Sequence, residues 1–155
     1  MGLQINWCMD TIRMNLKIIT VHPDYVNQTW PYVERYIESA LSYSAGDYDT
    51  AEIKVMLTQG SWQLLVVTDD NEKVHGAIVI SYFNRPTDRV AFVVAIGGRC
   101  IITKDGFSKF EDVLRQNGAT SLEGSGRESI IRLWHRHGMT QKYVVTGKSL
   151  NKLGE

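Results

Sequence analysis

At 155 residues, 43% of them apolar and 22% charged, the chain has the size and composition of one globular domain around one core. Its longest apolar stretches, residues 78–80 and 91–96, fall far short of the roughly 20 residues that cross a bilayer, so no transmembrane helix is expected. The formal net charge is zero, but residues 99–152 hold ten Lys or Arg against five Asp or Glu, while residues 1–98 hold seven against eleven. That basic C-terminal part suits the phosphates of a cofactor or a nucleic-acid backbone, and a solvated helix face gives the same count.

The N-terminus has neither a basic n-region nor a continuous apolar run, and Asn6 stands where myristoylation prefers Ser or Thr. A cytoplasmic protein, or one carried inside a larger particle, is the expectation. Cys8 and Cys100 form no CxxC, and no His stands at ligand spacing, so neither a disulfide framework nor a metal site is indicated.

Residues 1–13 show no clear period and read as an N-terminal extension, since Met14 and the run after it make a plausible chain start followed by a strand. Beyond the His22-Pro23-Asp24 turn, Thr29 is placed to cap a helix whose broad apolar face holds Tyr32, Val33, Tyr36, Ile37, Ala40 and Leu41. Asp49, with Glu52 three residues on, caps a short second helix that Gly60 ends. Residues 62–67 and 73–83 read as two strands of a hairpin turning at residues 69–72, and the near-continuous apolar run 89–96 as a central strand covered on both faces, ended by Gly97-Gly98. From Thr103 a helix puts Phe107, Phe110, Val113 and Leu114 on one face, with Ile102 and Phe107 as a staple and Gly118 as the left-handed stop. A short strand at 120–123 comes next. Ser125 and Glu128 form a capping box for a last helix with Ile130, Ile131 and Trp134 inward, and residues 143–146 close as a strand.

The predicted fold is therefore α/β (α+β), a mixed central sheet of about six to seven strands flanked by four helices. A hairpin before the central strand gives an antiparallel half, and helical crossovers after it give parallel neighbours. The chain shows no linker, repeat or low-complexity stretch, so residues 14–155 make one domain.

Two stretches carry a resemblance to a known family. Residues 69–80, DDNEKVHGAIVI, resemble the second-to-third strand hairpin of the GNAT acyltransferase superfamily, with Gly76 at a common glycine position. Residues 127–139, RESIIRLWHRHGM, resemble its last helix: Ile130-Ile131 fills the apolar pair, Leu133-Trp134 the apolar-Tyr pair and Gly138-Met139 the closing Gly-Phe. Two positions depart from the pattern, Arg127 for Asn and Trp134 for the Tyr that protonates the departing thiolate; an indole has no proton to give at a useful pKa. In the pyrophosphate loop, counted from Arg99, Ile102 and Lys104 occupy the two small-residue positions, where a Cβ obstructs close approach of backbone N–H groups to phosphate. The degenerate pattern and small size are also similar to GNAT-like proteins of tailed bacteriophages, some of which ride in the virion, and that resemblance implies a host-cytoplasmic or virion location.

The resemblance implies an acyl-CoA N-acyltransferase. Acetyl-CoA would be aligned by the backbone at Ala95 and Ile96, its phosphates met by Arg99 and Lys104 near Gly106, and an amine acceptor would attack directly. Glu123, at the expected end of the fifth strand, is the candidate general base, and Ser125 a candidate proton donor to the thiolate; the alternatives are a surface carboxylate and a helix cap. His135 and His137, two apart on a helix, point in different directions and do not share a metal. The second reading is a catalytically silent scaffold that keeps the fold and binds protein partners in an assembly. Nucleic-acid binding has no recognised motif behind it.

Overall fold

The structure, a computed structural model, describes residues 15–42, 48–98 and 103–151. The expected N-terminal extension, Arg99 and Ile102 lie outside the described residues. The elements are β1 (Lys17–Val21), a 3-10 turn (Pro23–Tyr25), α1 (Val26–Leu41), α2 (Thr50–Thr58), β2 (Gln63–Thr68), β3 (Val74–Asn84), β4 (Arg89–Gly98), α3 (Lys104–Gln116), β5 (Ser121–Gly124) and α4 (Glu128–Arg136).

The five strands form one sheet in chain order, β1 to β4 antiparallel and β5 parallel to β4. The mixed sheet and the four helices agree with expectation; the strand count does not. Residues 143–146 form no strand, and the segment 140–151 is exposed throughout. The physical reason is that β5 is only four residues long, and that the stretch after α4 is held through the side chains of Lys142 and Tyr143 rather than by a ladder.

Strands β2 and β3 bury consecutive residues because both faces of the sheet are covered. Leu65, Val67, Ile78 and Ile80 pack with Phe107, Phe110, Leu114 and Trp134 of α3 and α4. Their neighbours Leu64, Val66, Ala77 and Val79 pack with Val26, Trp30, Val33 and Ile37 of α1, and with Ile53 and Leu57 of α2. Each such fully buried aliphatic side chain contributes roughly 1.5–3 kcal/mol, so the central hairpin is the most strongly held part of the fold.

Helix ends obey local chemistry where the sequence shows it, with two exceptions. Asp49 accepts from the Glu52 N–H at 2.7 Å and Thr103 from the Gly106 N–H at 3.0 Å, while Gly60 and Gly118 take positive φ at the stops of α2 and α3. Helix α1, however, begins at Val26 rather than at Thr29. The His22 ring nitrogen accepts from the Asp24 N–H at 3.1 Å and starts the turn that leads into the helix, and the Thr29 hydroxyl donates back to the Tyr25 carbonyl at 2.9 Å. Helix α4 begins at Glu128 after Arg127, with no side-chain cap, so the expected Ser125–Glu128 box is not formed.

Helix α1 reaches the sheet most closely at Gly97. A Cβ built there would fall onto the carbonyl of Tyr36, whose hydroxyl donates across to the Val74 carbonyl at 3.1 Å. Helix and strand backbones touch because this position carries no side chain. We expect Gly97→Ala to destabilise the protein by about 3 kcal/mol, read as a lower urea midpoint at unchanged m-value; an unchanged midpoint would show that the contact is not tight.

Candidate functional site

Two departures from regular pairing shape the centre of the sheet. First, β4 pairs with β5 only from Val90↔Ser121 to Val93↔Gly124, whereas its pairing with β3 continues to Gly98↔Gly76. The chain leaves the side of β4 after Gly124 and enters α4, so β4 and β5 part there. Secondly, Val79 faces Ala95 and Ile80 faces Val93, which makes Val94 the extra residue of a bulge. Without it, Val93 and Ala95 would share a face; with it, Val93 joins the core under α3 and α4 and Ala95 joins the core under α1 and α2.

A cleft of about 870 Å³ opens along this parting. That volume suits a small-molecule ligand. On the side of α3 and α4 it is lined by Val93, Ile96, Ser125, Arg127, Ile130 and Trp134. On the side of α1 and α2 it is lined by Leu41, Tyr48 and Trp62, with Phe83 and Phe92 projecting to the same side by strand alternation. Tyr48 and Trp62 meet edge-on with centroids 5.0 Å apart.

Trp134 packs against the end of β5, beside the parting. Its ring is buried, and a Cβ on Gly124 would stand 2.7 Å from its Cη2. The benzo end of the indole therefore occupies the space that a side chain on the last residue of β5 would need.

The structure brings some of the expected site residues together and separates others. Ala95, Ile96 and Ser125 share the cleft wall. Lys104 is exposed in the first turn of α3, where Asp105 already places a carboxylate. Gly106 is buried two residues on, its N–H engaged by Thr103. Neither Lys104 nor Gly106 lines the cleft.

Glu123 is buried just behind the wall, at the end of β5, facing the α1 and α2 side because its neighbour Leu122 packs the other way. The Arg85 guanidinium grips it with two hydrogen bonds, the second at 3.1 Å; Lys142 Nζ donates at 3.0 Å and the Tyr143 hydroxyl at 3.1 Å. Arg85 first, then Lys142 and Tyr143, outweigh the effect of burial and hold the carboxyl down at about 2. A carboxylate so stabilised is a very poor acceptor for the proton of an alkylammonium group.

Sequence reasoning missed Arg85, Lys142 and Tyr143. Arg85 sits in the Pro86 loop and Lys142 and Tyr143 come after the last helix, 38, 19 and 20 residues from Glu123, so no local spacing signals their meeting. Of the histidines, His137 stacks on Phe107 at 4.5 Å, and His75 pairs with Asp69 at 2.8 Å inside the hairpin turn. Among the described residues no group of His, Cys, Asp and Glu is arranged to hold a metal ion, and no helix is long and apolar enough to cross a membrane.

Glu123 makes a specific pH prediction. Its folded pKa, about 2, lies below the ordinary 4.5, so its contribution to stability is complete above about pH 4.5 and is lost as the pH falls towards 2. Chemical denaturation across that window should show Glu123→Gln less acid-sensitive than the parent protein; parallel curves would mean the network is not formed in solution.

No protein-family model matches the sequence, nor does any curated protein. Solved structures do. An aminoglycoside acetyltransferase from an uncultured soil metagenomic sample superposes with a TM-score of 0.63 at 13% identity, over 88% of this chain and 97% of that one. The ribosomal-protein-alanine N-acetyltransferase of Brucella melitensis biovar Abortus 2308 gives 0.63 at 12% identity over 88% and 99%. An aminoglycoside 6'-N-acetyltransferase from Acinetobacter baumannii gives 0.57 at 15% identity over 88% and 99%. These are GNAT-fold acetyltransferases, and at such identities the likeness is one of fold.

Proposed function

We propose that this protein is an N-acyltransferase that moves an acyl group from acyl-CoA to an amine. The observation that carries this reading is the parting of β4 from β5 beyond Val93↔Gly124, combined with the bulge at Val94. A strand that ends its pairing in the middle of a sheet presents backbone polar groups to a cleft, where an extended amide-bearing arm of acyl-CoA takes the place of the missing neighbour.

The residues fit such a substrate unevenly. The backbone at Ala95 and Ile96 aligns the pantetheine and polarises the thioester carbonyl, fixing the reacting carbon for an incoming nitrogen. Arg99 and Lys104 meet the phosphates, with the N-terminus of α3 adding its dipole; Asp105 opposes it, and Gly106 supports packing of that turn rather than donating. The amine bonds to the carbonyl carbon, the carbon–sulfur bond breaks, and the thiolate takes a proton. Ser125, not spent on a helix cap and placed on the cleft wall, supplies it and is restored by the proton that the nitrogen gives up; Trp134 has none to give. Glu123 acts as a positioning residue that holds Tyr143 at the cleft, and the amine arrives already neutral.

A silent scaffold that binds protein partners is the second reading. It is favoured by the apolar side chains exposed after α4: Val144, Val145 and Leu150 are 72%, 81% and 89% exposed.

Calorimetric titration with acetyl-CoA and with CoA separates the two. Micromolar binding that Arg99→Ala/Lys104→Ala weakens about tenfold, the loss of roughly one charge-assisted contact, supports the enzyme. No heat at millimolar ligand, with the fold intact by circular dichroism, leaves the scaffold.

A further inference from the structure

The half of the cleft facing α1 and α2 has a composition that selects its guest. Four aromatic residues, Tyr48, Trp62, Phe83 and Phe92, line it, and Tyr143 stands at its border. Among the described lining residues of the whole cleft there is no Asp or Glu, and Arg127 alone is charged. Glu123, which binds the lining residue Tyr143, is enclosed by Arg85, Lys142 and Tyr143 and is not itself a lining residue. The Arg85 guanidinium itself lies 5.1 Å above the Phe83 ring, which brings positive charge to the aromatic rim.

A polycationic acceptor would lose the water around several ammonium groups on entering this half and, among the described lining residues, find no carboxylate to replace it, while Arg85 and Lys142 together outweigh the charge of Glu123. A flat aromatic body gains edge and face contacts with the rings and loses little hydration, and a single amine at its end is tolerated over ring faces. An anionic substituent finds the cationic rim.

Building on the acyl-transfer reading, we propose that the acceptor is a primary amine carried on an aromatic body, otherwise neutral or singly anionic, and not a polyamine or aminoglycoside. Its neutral nitrogen bonds to the thioester carbonyl carbon as the carbon–sulfur bond breaks; the proton given up by nitrogen balances the one gained by sulfur, leaving an N-acyl aromatic amine and free thiol.

The test compares phenethylamine and phenylalanine with spermidine and kanamycin as acceptors of acetyl-CoA, monitoring thiol release, together with calorimetric titration of each amine into protein saturated with CoA. The aromatic amines should show kcat/KM and affinity at least about 100-fold above those of the polycations. Phe83→Ala should lower both about tenfold without changing the Kd for acetyl-CoA, and Phe83→Asp should shift the preference towards spermidine. Equal or better use of the polycations, or acetyl-CoA binding without turnover or binding of either aromatic amine, overturns the acceptor assignment. Absence of acetyl-CoA binding overturns the acyl-transfer reading itself, so the two failures are distinct.

Discussion

The contact on which the rest depends is the indole of Trp134 lying against Gly124. With no side chain at the end of β5, the ring takes the space a Cβ would need and is buried there. Beyond Gly124 the chain turns away from β4 and enters α4, which carries this indole back to the end of β5. Everything chemically interesting in the molecule lies along the gap this leaves, including the bulge at Val94, which turns Ala95 and Val93 to opposite cores within three residues.

The C-terminal segment beyond α4 is held by charge rather than by a ladder. Glu123 gathers Arg85 from the loop before β4 and Lys142 and Tyr143 from that segment, so one buried carboxylate ties separate stretches of chain to the end of the sheet. Such a network satisfies the carboxylate's acceptor capacity and makes removal of any partner costly. It also explains the short sheet, because side-chain bonds fix Tyr143 at the cleft border while leaving the segment 140–151 exposed.

The cleft consequently has two chemically distinct halves. On the side of α3 and α4 stand Ser125, Arg127 and, beyond the lining, the N-terminus of α3 with Lys104. On the side of α1 and α2 stand aromatic rings with a cationic rim. The sheet separates them except at the parting.

Periodicity and local capping chemistry determined much of this from sequence alone. The run 89–96 announced a strand buried on both faces, the apolar positions of α3 fell on the face that packs, and Asp49, Thr103, Gly60 and Gly118 marked helix ends, because these signals act within a few residues through fixed backbone geometry. The local signal failed at two helix starts: Thr29 lies inside α1, bonded back to the Tyr25 carbonyl, and Ser125 does not cap α4, which begins after Arg127 with no side-chain cap. Only the tertiary structure decided where β4 and β5 part, that 143–146 is no strand, and that Glu123 is an anchored carboxylate. Each depends on groups from different elements, Trp134 of α4 with Gly124 of β5 and Arg85 of the loop before β4 with Glu123 of β5, whose meeting the packing of the sheet dictates and no spacing records.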